Sequence, residues 1–272
     1  MANSVLRPPA VAGRFYPADP GELSRQIAAF AAPPEEPPRP AIACVVPHAG
    51  YRFSGHVAGA VYARLKLPRR FLLLGPRHFP RGKTQAILSE GAWQTPMGRA
   101  EIDSELAHEL SRACPELCED EVAHQTEHAL EVQLPFLQFL SGDFRFVPIA
   151  LGTREYVPLE ALGRAIAGVL RKQSDPVLMI ASSDMNHYES DEVTRRKDRL
   201  ALERVLQLDA SGLFDTVRRE GITMCGSGPV VSVLTAARLL GAAQATLVRY
   251  ATSGDISGER NEVVGYAGVI VE

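Results

Sequence analysis

The sequence predicts an α/β fold, specifically a three-layer α/β/α sandwich around a mostly parallel, mixed sheet. Two observations support this prediction. Apolar runs of strand length recur along the chain, and segments with helical spacing separate most of them. Strands that alternate with helices form parallel sheets that helices cover on both faces. The predicted strands are residues 42–46, 71–75, 85–89, 144–150, 177–182, 245–250 and 263–271.

Small and apolar residues at helical spacing predict the segments between these strands as helices. The predicted helices are residues 55–65, 102–113, 129–140, 159–171, 192–206, 211–219 and 230–240. The last two strands are joined by a polar loop without a helical pattern, which indicates an antiparallel hairpin. Residues 33–40 are rich in proline, and we interpret them as a surface loop between a leading helix and the first strand. One domain over residues 1–272 is therefore expected.

The composition argues against several classes of partner. The chain has 272 residues and a formal net charge of -3, without a basic block, so nucleic acid is not an expected partner. No apolar run reaches the roughly 18 residues that span a bilayer, so no membrane association is expected. The N-terminal residues lack the apolar core of a signal peptide, which predicts a cytoplasmic protein. Four cysteines in a chain of this length do not indicate a disulfide framework.

Two histidines directly follow predicted strands. His48 comes after strand 42–46, and His78 comes after strand 71–75. In an open α/β sheet, ligands bind beyond the carboxyl ends of the strands. The pair therefore predicts a shared metal-binding or catalytic site, and the alternative is that both are hydrogen-bonded loop histidines.

Two other segments carry reactive side chains in comparable positions. Asp184 and His187 follow strand 177–182, where His187 could act as a general acid or base and Asp184 could orient it or bind a metal. The alternative is a turn that caps the next helix, which explains Asp184 better than His187. Cys225 lies just before a predicted helix, and a helix N-terminus favours a thiolate. The alternative for Cys225 is a buried, apolar side chain.

His124, Glu127 and His128 match the H-x-x-E-H pattern of inverted zincins. A zincin needs this pattern within a helix, whereas here it falls at the entry to a predicted helix. We therefore favour a different interpretation, in which these side chains line the cleft and hydrogen-bond to substrate or to metal-binding histidines. A thiol hydrolase built on Cys225 is a further alternative.

These segments occur in the order found in the Memo family, and the chain resembles that family nearly end to end. Residues 9–17 and 127–137 also match its motifs. Prokaryotic members are often named AmmeMemoRadiSam system protein B, which implies a radical-SAM protein as a partner. The family fold is similar to that of class III extradiol dioxygenases, non-haem iron enzymes that open catechol rings. The resemblance therefore implies a dioxygenase-like sandwich.

The resemblance also implies roles for individual residues. It implies one metal ion, iron(II) or copper with zinc as a further option, and its ligands are His48, His78 and Cys225. His187 matches the acid/base histidine of the dioxygenases, and Asp184 lies beside it. The residues expected to contact substrate are His124, His128 and Tyr51.

The expected function is that of a metal-dependent oxidoreductase acting on a small phenolic or peptide-borne substrate. The alternative is a non-enzymatic module that binds a metal ion or a peptide in the same cleft. Cys225 stands where the dioxygenases place a carboxylate, and a thiolate favours Cu(I), zinc or thiolate-ligated iron. Asp184 is the candidate to restore a carboxylate to the metal.

Overall fold

The computed structural model describes residues 6–272. The first five residues, which are part of the segment that lacks a signal-peptide pattern, lie outside the described residues. The strands are β1 (Leu6–Arg7), β2 (Ala43–Val46), β3 (Arg70–Pro76), β4 (Gln85–Ile87), β5 (Ala92–Thr95), β6 (Gly98–Ile102), β7 (Cys118–Glu119), β8 (Arg145–Leu151), β9 (Val177–Ser182), β10 (His187–Glu189), β11 (Ala245–Thr252) and β12 (Val263–Val271).

In the described part of the chain, nine α-helices lie between these strands. They are α1 (Pro20–Phe30), α2 (Tyr51–Tyr62), α3 (Ser104–Ala113), α4 (Leu134–Ser141), α5 (Tyr156–Leu170), α6 (Asp191–Leu206), α7 (Ala210–Arg219), α8 (Ser227–Leu239) and the single turn α9 (Gly254–Ser257). A short 3-10 helix, Glu131–Gln133, leads into α4. Among the helices of residues 6–272, none is long and apolar enough to cross a membrane.

All described strands join one mixed sheet in the order β1-β5-β6-β8-β3-β9-β2-β12-β10, with β11 beside β12 and β4 beside β7 and β8. The central run β6-β8-β3-β9-β2 is parallel. Strand β12 runs antiparallel to β2, β10 and β11. The predicted mixed sheet with a parallel centre is confirmed, as is the predicted antiparallel pairing of residues 245–250 with 263–271.

Strand β3 shows why the sheet is covered on both faces. Leu72 and Leu74 belong to the core shared with α3, α5, α6, α7 and α8, whereas Phe71 and Leu73 belong to the core shared with α1, α2 and α4. Successive side chains of a strand point to opposite faces of the sheet. Because all four side chains are fully buried, helices must lie on both faces. The three-layer sandwich is therefore confirmed.

Two predicted helices begin later than expected. The predicted helix 102–113 begins at Ser104, because Asp103 caps it and accepts a hydrogen bond from the Leu106 N–H. The predicted helix 129–140 begins as an α-helix only at Leu134, with Pro135 in its first turn. Proline is tolerated there because the first N–H groups of a helix have no intrahelical partner.

The sheet places three polar residues in equivalent positions. His48, His78 and Asp184 each lie two residues beyond the end of their strand, β2, β3 and β9. Strand β9 pairs with both β2 and β3, so the three strand ends are neighbours. Cys225 lies two residues before α8, which packs against the same strands. The parallel centre of the sheet thus gathers these side chains at one edge.

Candidate metal centre

Three imidazole rings meet at this edge of the sheet: those of His48, His78 and His128. One ring nitrogen of each lies within 4.8 Å of the others. The His48 ring centroid is 5.2 Å from that of His78 and 5.6 Å from that of His128, and His78 stacks on His128 at 4.4 Å. Imidazole is a ligand that suits zinc, copper and iron. The three residues could therefore hold one metal ion.

The histidines line a cleft of about 570 Å³. Its other walls include Phe15, Asp184, His187, Tyr188, Cys225 and Tyr266. The structure thus brings together the five residues expected to bind the metal or move protons, and it adds His128 to them. Whether each one is a ligand or a catalyst stays a prediction.

A serine fixes the protonation of His48. The Ser182 hydroxyl donates its one proton to the Ala129 carbonyl at 2.6 Å and accepts a hydrogen bond from Gln133 Nε2 at 2.9 Å. Its remaining lone pair lies 2.9 Å from His48 Nδ1. A hydroxyl has a single donor, so His48 Nδ1 must carry the proton in this contact. His48 Nε2 therefore keeps its lone pair for a metal ion.

Gln133 anchors this serine. The side chain is fully buried, and its Oε1 accepts a hydrogen bond from the Tyr62 hydroxyl at 2.8 Å. Its Nε2 also donates to the Pro47 carbonyl at 3.0 Å. Both ends of the amide are thus committed, which fixes its orientation and makes Nε2 a donor toward Ser182.

Glu127 fixes the protonation of His78 in the same way. It accepts hydrogen bonds from the His78 backbone N–H at 2.7 Å and from His78 Nδ1 at 2.8 Å. Burial alone would raise the pKa of Glu127, but the contacts with His78 and the nearby His128 lower that pKa to about 2. The ionised carboxylate can only accept, so His78 Nδ1 carries the proton and Nε2 is free. Carboxylates that bind the far nitrogen of a histidine are common around metal sites.

The protonation states of the other donors also fit a metal ion. Burial lowers the pKa of His48 well below its usual value, and burial with the neighbouring His48 lowers the pKa of His128 to about 4. Both rings are therefore neutral at pH 7, which is the form that binds metals. Two neutral imidazoles that converge with a third, which has a carboxylate behind it, match what a transition metal requires.

Cys225 contributes a thiol beside His48. Its Sγ lies 3.2 Å from His48 Nε2, so one ion could contact both atoms. Burial raises the pKa of Cys225, so the group is a thiol until a metal displaces its proton. The backbone after Cys225 packs closely against the end of β9. A Cβ at Gly226 would collide with the Ser182 carbonyl and the Ser183 side chain, so glycine permits this close approach.

Asp184 supports the backbone around His48. Its Oδ1 accepts hydrogen bonds from the N–H groups of His48 at 2.8 Å and Ala49 at 3.3 Å. Its Oδ2 lies 4.0 Å from His48 Nε2. Burial raises the pKa of Asp184 above its usual value, and the hydrogen bond from the His48 N–H offsets only part of that rise. One carboxylate oxygen therefore orients the loop, and the other lies near His48 Nε2, the nitrogen that could bind a metal ion.

His187 presents one basic nitrogen. Its backbone N–H donates to Thr223 Oγ1 at 2.7 Å, and its Nδ1 lies 2.9 Å from the Thr223 carbonyl. A carbonyl can only accept, so Nδ1 carries the proton and Nε2 has the lone pair. The next residue, Tyr188, has a φ of +59° and is 75% exposed. A left-handed aromatic residue at the rim of a cleft is a strained feature typical of functional sites.

Two residues expected to contact substrate lie elsewhere. Tyr51 is buried in the core, where its hydroxyl donates to the Val132 carbonyl at 2.7 Å and its ring packs on Phe136. His124 is fully buried beside Trp93, at a ring distance of 5.8 Å. The structure therefore brings neither residue to the cleft. Tyr51 is held in the core by its contacts with Val132 and Phe136. His124 is separated from His128 because the chain turns between them and sends their rings to different places.

The zincin pattern does not form a zincin site. His124 lies in a turn, and Glu127 and His128 lie in irregular backbone rather than within a helix, so the two histidines do not share a helical face. The alternative interpretation fits better for Glu127, which hydrogen-bonds to His78, a residue of the histidine cluster.

Sequence reasoning missed the residue that holds this turn in place. The Arg7 guanidinium, 6% exposed, contacts Glu131 Oε2 at 2.6 Å and donates to the carbonyls of Glu127 and His124, both at 2.7 Å. Glu131 also accepts a hydrogen bond from the Tyr16 hydroxyl at 2.6 Å. The N-terminal segment is thus tied to the turn that carries Glu127. Two polar residues, Glu131 and Gln133, within a largely apolar run are the sequence feature that could have indicated such partners.

Comparisons with known proteins find relatives over nearly the whole chain. A family model described as Memo-like protein matches residues 7–270. A MEMO1 family protein of Methanopyrus kandleri is 42% identical over 277 residues, which cover 97% of this chain and 98% of that protein. A MEMO1 family protein of Methanosarcina barkeri is 41% identical over 268 residues, which cover 98% and 100%.

A solved structure shows a similar fold. An uncharacterized protein of Escherichia coli K12 superposes with a TM-score of 0.56 over 85% of this chain and 99% of that chain. The sequence identity is 11%, so the likeness concerns the fold alone.

Proposed function

This chain belongs to the Memo-like protein family, and from that membership and its histidine cluster we propose that it binds one redox-active metal ion and oxidises a small phenolic substrate, with dioxygen as the electron acceptor. The observation that carries the proposal is the convergence of three ring nitrogens, two of them with the far nitrogen already committed to Ser182 or Glu127. Such a site is built to present lone pairs rather than to bury histidines.

The proposed ion is iron(II) or copper, with zinc as the alternative. His48 and His78 are the shared part of the ligand set, and His128 and Cys225 are the candidates to complete it. Three imidazoles suit all three ions, whereas a thiolate favours copper(I) and zinc over iron(II). The resemblance of the fold to extradiol dioxygenases supports a redox-active ion.

His187 is the proposed base. When bound, the metal ion would supply redox and Lewis-acid chemistry. His187 Nε2 accepts the phenolic proton, because its Nδ1 proton is held by the Thr223 carbonyl. Phe15 and Tyr188, which both line the cleft, hold the aromatic ring of the substrate.

A second candidate function is metal or peptide binding without catalysis. The observation in its favour is the Cys225 thiol beside His48, since soft sulfur ligands suit proteins that carry copper or zinc. A protein that only carries a metal ion or binds a peptide does not require a general base at His187. The prokaryotic family name supports a radical-SAM protein as a partner in either case, and a cytoplasmic location stays a prediction.

The experiment that tests the proposal measures oxygen uptake by iron- or copper-loaded protein with a panel of catechols and phenols. The variant His187→Ala should keep its metal content and lose at least 100-fold in turnover, because general base catalysis contributes about 10²–10⁴-fold. If the metal-loaded wild-type protein took up no oxygen with any member of the panel, the result would favour the metal or peptide carrier.

A further inference from the structure

A second cavity opens beside the cleft that the three histidines line, which we call the metal cleft. The two spaces share two wall residues. The cavity has a volume of about 730 Å³, and Phe15 and His128 line both spaces. It lies between the N-terminal segment, residues 8–15, and the loop of residues 79–81. We call it the side groove. The side groove and the metal cleft therefore adjoin at Phe15 and His128.

The walls of the side groove are largely apolar. They include Pro8, Pro9, Val11, Phe15, Phe79 and Pro80. Phe79 is 44% exposed, although it is a large apolar residue. The Phe15 ring contacts the His128 ring at 4.7 Å, so this apolar wall continues up to the histidine cluster. An exposed apolar surface that is continuous with a polar site is typical of a ligand-binding groove.

Two unpaired arginines stand on the same groove. Arg14 and Arg81 both line it and are both exposed. Within residues 6–272, neither guanidinium has a carboxylate partner or a side-chain hydrogen bond. The residues that line the groove include no aspartate or glutamate. The groove therefore combines apolar walls with uncompensated positive charge.

Resting on the proposed function, we propose that the substrate is a small amphipathic carboxylate. Its reactive end lies in the metal cleft, its apolar body lies along Phe15 and Phe79, and its carboxylate binds Arg14 and Arg81. The planar guanidinium group pairs well with a carboxylate. A volume of about 730 Å³ suits a small molecule, since such ligands occupy pockets of roughly 300–1,000 Å³.

The test compares two probes that differ only in charge: 4-(4-hydroxyphenyl)butanoate and its primary amide. Their affinities for the purified protein are measured by calorimetry. The wild-type protein should bind the carboxylate at least 10-fold more tightly than the amide. The double variant Arg14→Gln/Arg81→Gln should bind both equally, with the amide affinity unchanged. Arg199→Gln, at an exposed position on α6, is the matched control and should keep the wild-type ratio.

A metal-site variant separates this proposal from the proposed function. His78→Ala should lose metal and should keep the carboxylate-to-amide affinity ratio, because the arginines lie in the side groove. Equal affinity of the wild-type protein for both probes would overturn the proposal, and so would a ratio that survives loss of both arginines. Binding of an acidic peptide that depends on both arginines, while the small carboxylate is indifferent to them, would overturn it in favour of a peptide ligand.

Discussion

The Glu127 carboxylate contacts His78 twice, accepting its backbone N–H at 2.7 Å and its Nδ1–H at 2.8 Å. It also accepts the Ala129 N–H at 2.8 Å. One buried carboxylate therefore sets the position, orientation and protonation of a candidate metal ligand. The same contacts hold the turn from which His128 reaches the cluster.

The first prediction concerns Glu127→Gln. An amide has one acceptor oxygen and a donor NH₂ group, so it cannot accept all three N–H groups that Glu127 accepts. We expect metal affinity to fall about 10–100-fold, as for other partners that orient metal-binding histidines. The measurement is a metal dissociation constant from competition with a chelator. Glu121→Gln, an exposed position in the same segment, is the control and should leave the affinity unchanged.

The second prediction concerns Ser182→Ala. The variant removes the acceptor of His48 Nδ1–H and also leaves a buried Gln133 N–H without its partner. We expect the free energy of unfolding to fall by about 1–3 kcal/mol and metal affinity to weaken. Ser232→Ala is the matched control, because Ser232 is another fully buried serine, bonded to the Leu159 carbonyl. The Ser232→Ala variant should lose stability and keep its metal affinity. Equal metal affinity in both variants would exclude a role for Ser182 in orienting His48.

The third prediction concerns the pH dependence of stability. His124 is fully buried, and neither ring nitrogen has a hydrogen bond of good geometry. Burial, with Arg7 nearby, lowers its pKa from the usual 6.5 to about 4. Since the folded pKa is below the unfolded one, protonation favours the unfolded chain. The stabilising contribution is therefore present above pH 6.5 and is lost as the pH falls toward 4.

That loss amounts to about 3 kcal/mol by pH 4, because each pKa unit corresponds to about 1.4 kcal/mol. The variant His124→Leu cannot be protonated and should lose correspondingly less stability between pH 7 and pH 4. Urea unfolding of both proteins at the two pH values measures the difference. An equal loss of unfolding free energy in the two proteins between pH 7 and pH 4 would show that His124 does not titrate in this range.

The fourth prediction concerns Cys225 as a metal ligand. Burial raises the pKa of Cys225, whereas His48 and His128 are already neutral at pH 7. Binding of one ion through the thiolate should therefore release about one proton. Metal binding to the Cys225→Ala variant should release about one proton fewer. Calorimetry in two buffers of different ionisation enthalpy counts the protons, and an identical count in both proteins would remove Cys225 from the ligand set.

The residues that follow parallel strands were the predictable part of the site. His48, His78 and Asp184 occupy the same position after neighbouring strands, so the sheet alone brings them together. The hairpin of β11 and β12 was predictable for a similar reason, since its two apolar runs have no helical pattern between them. Periodicity and the rule for strand ends were sufficient in both cases.

The remaining contacts depend on long-range packing that no local pattern contains. Arg7 and Glu131 are separated by 124 positions in the chain, yet they form the buried ion pair that holds the turn around Glu127. His124 and His128 belong to one short motif, and only the path of that turn decides that His128 reaches the cluster. Pairing across such distances requires the three-dimensional structure.

The central claim is that one metal ion binds at the cluster of His48, His78 and His128, and metal analysis of anaerobically purified protein tests it most directly. The wild-type protein should carry about one equivalent of iron or copper after reconstitution. His78→Ala should carry much less, while His108→Ala, an exposed histidine on α3, should match the wild-type protein. Absence of bound metal in the reconstituted wild-type protein, or equal content in His78→Ala, would contradict the account.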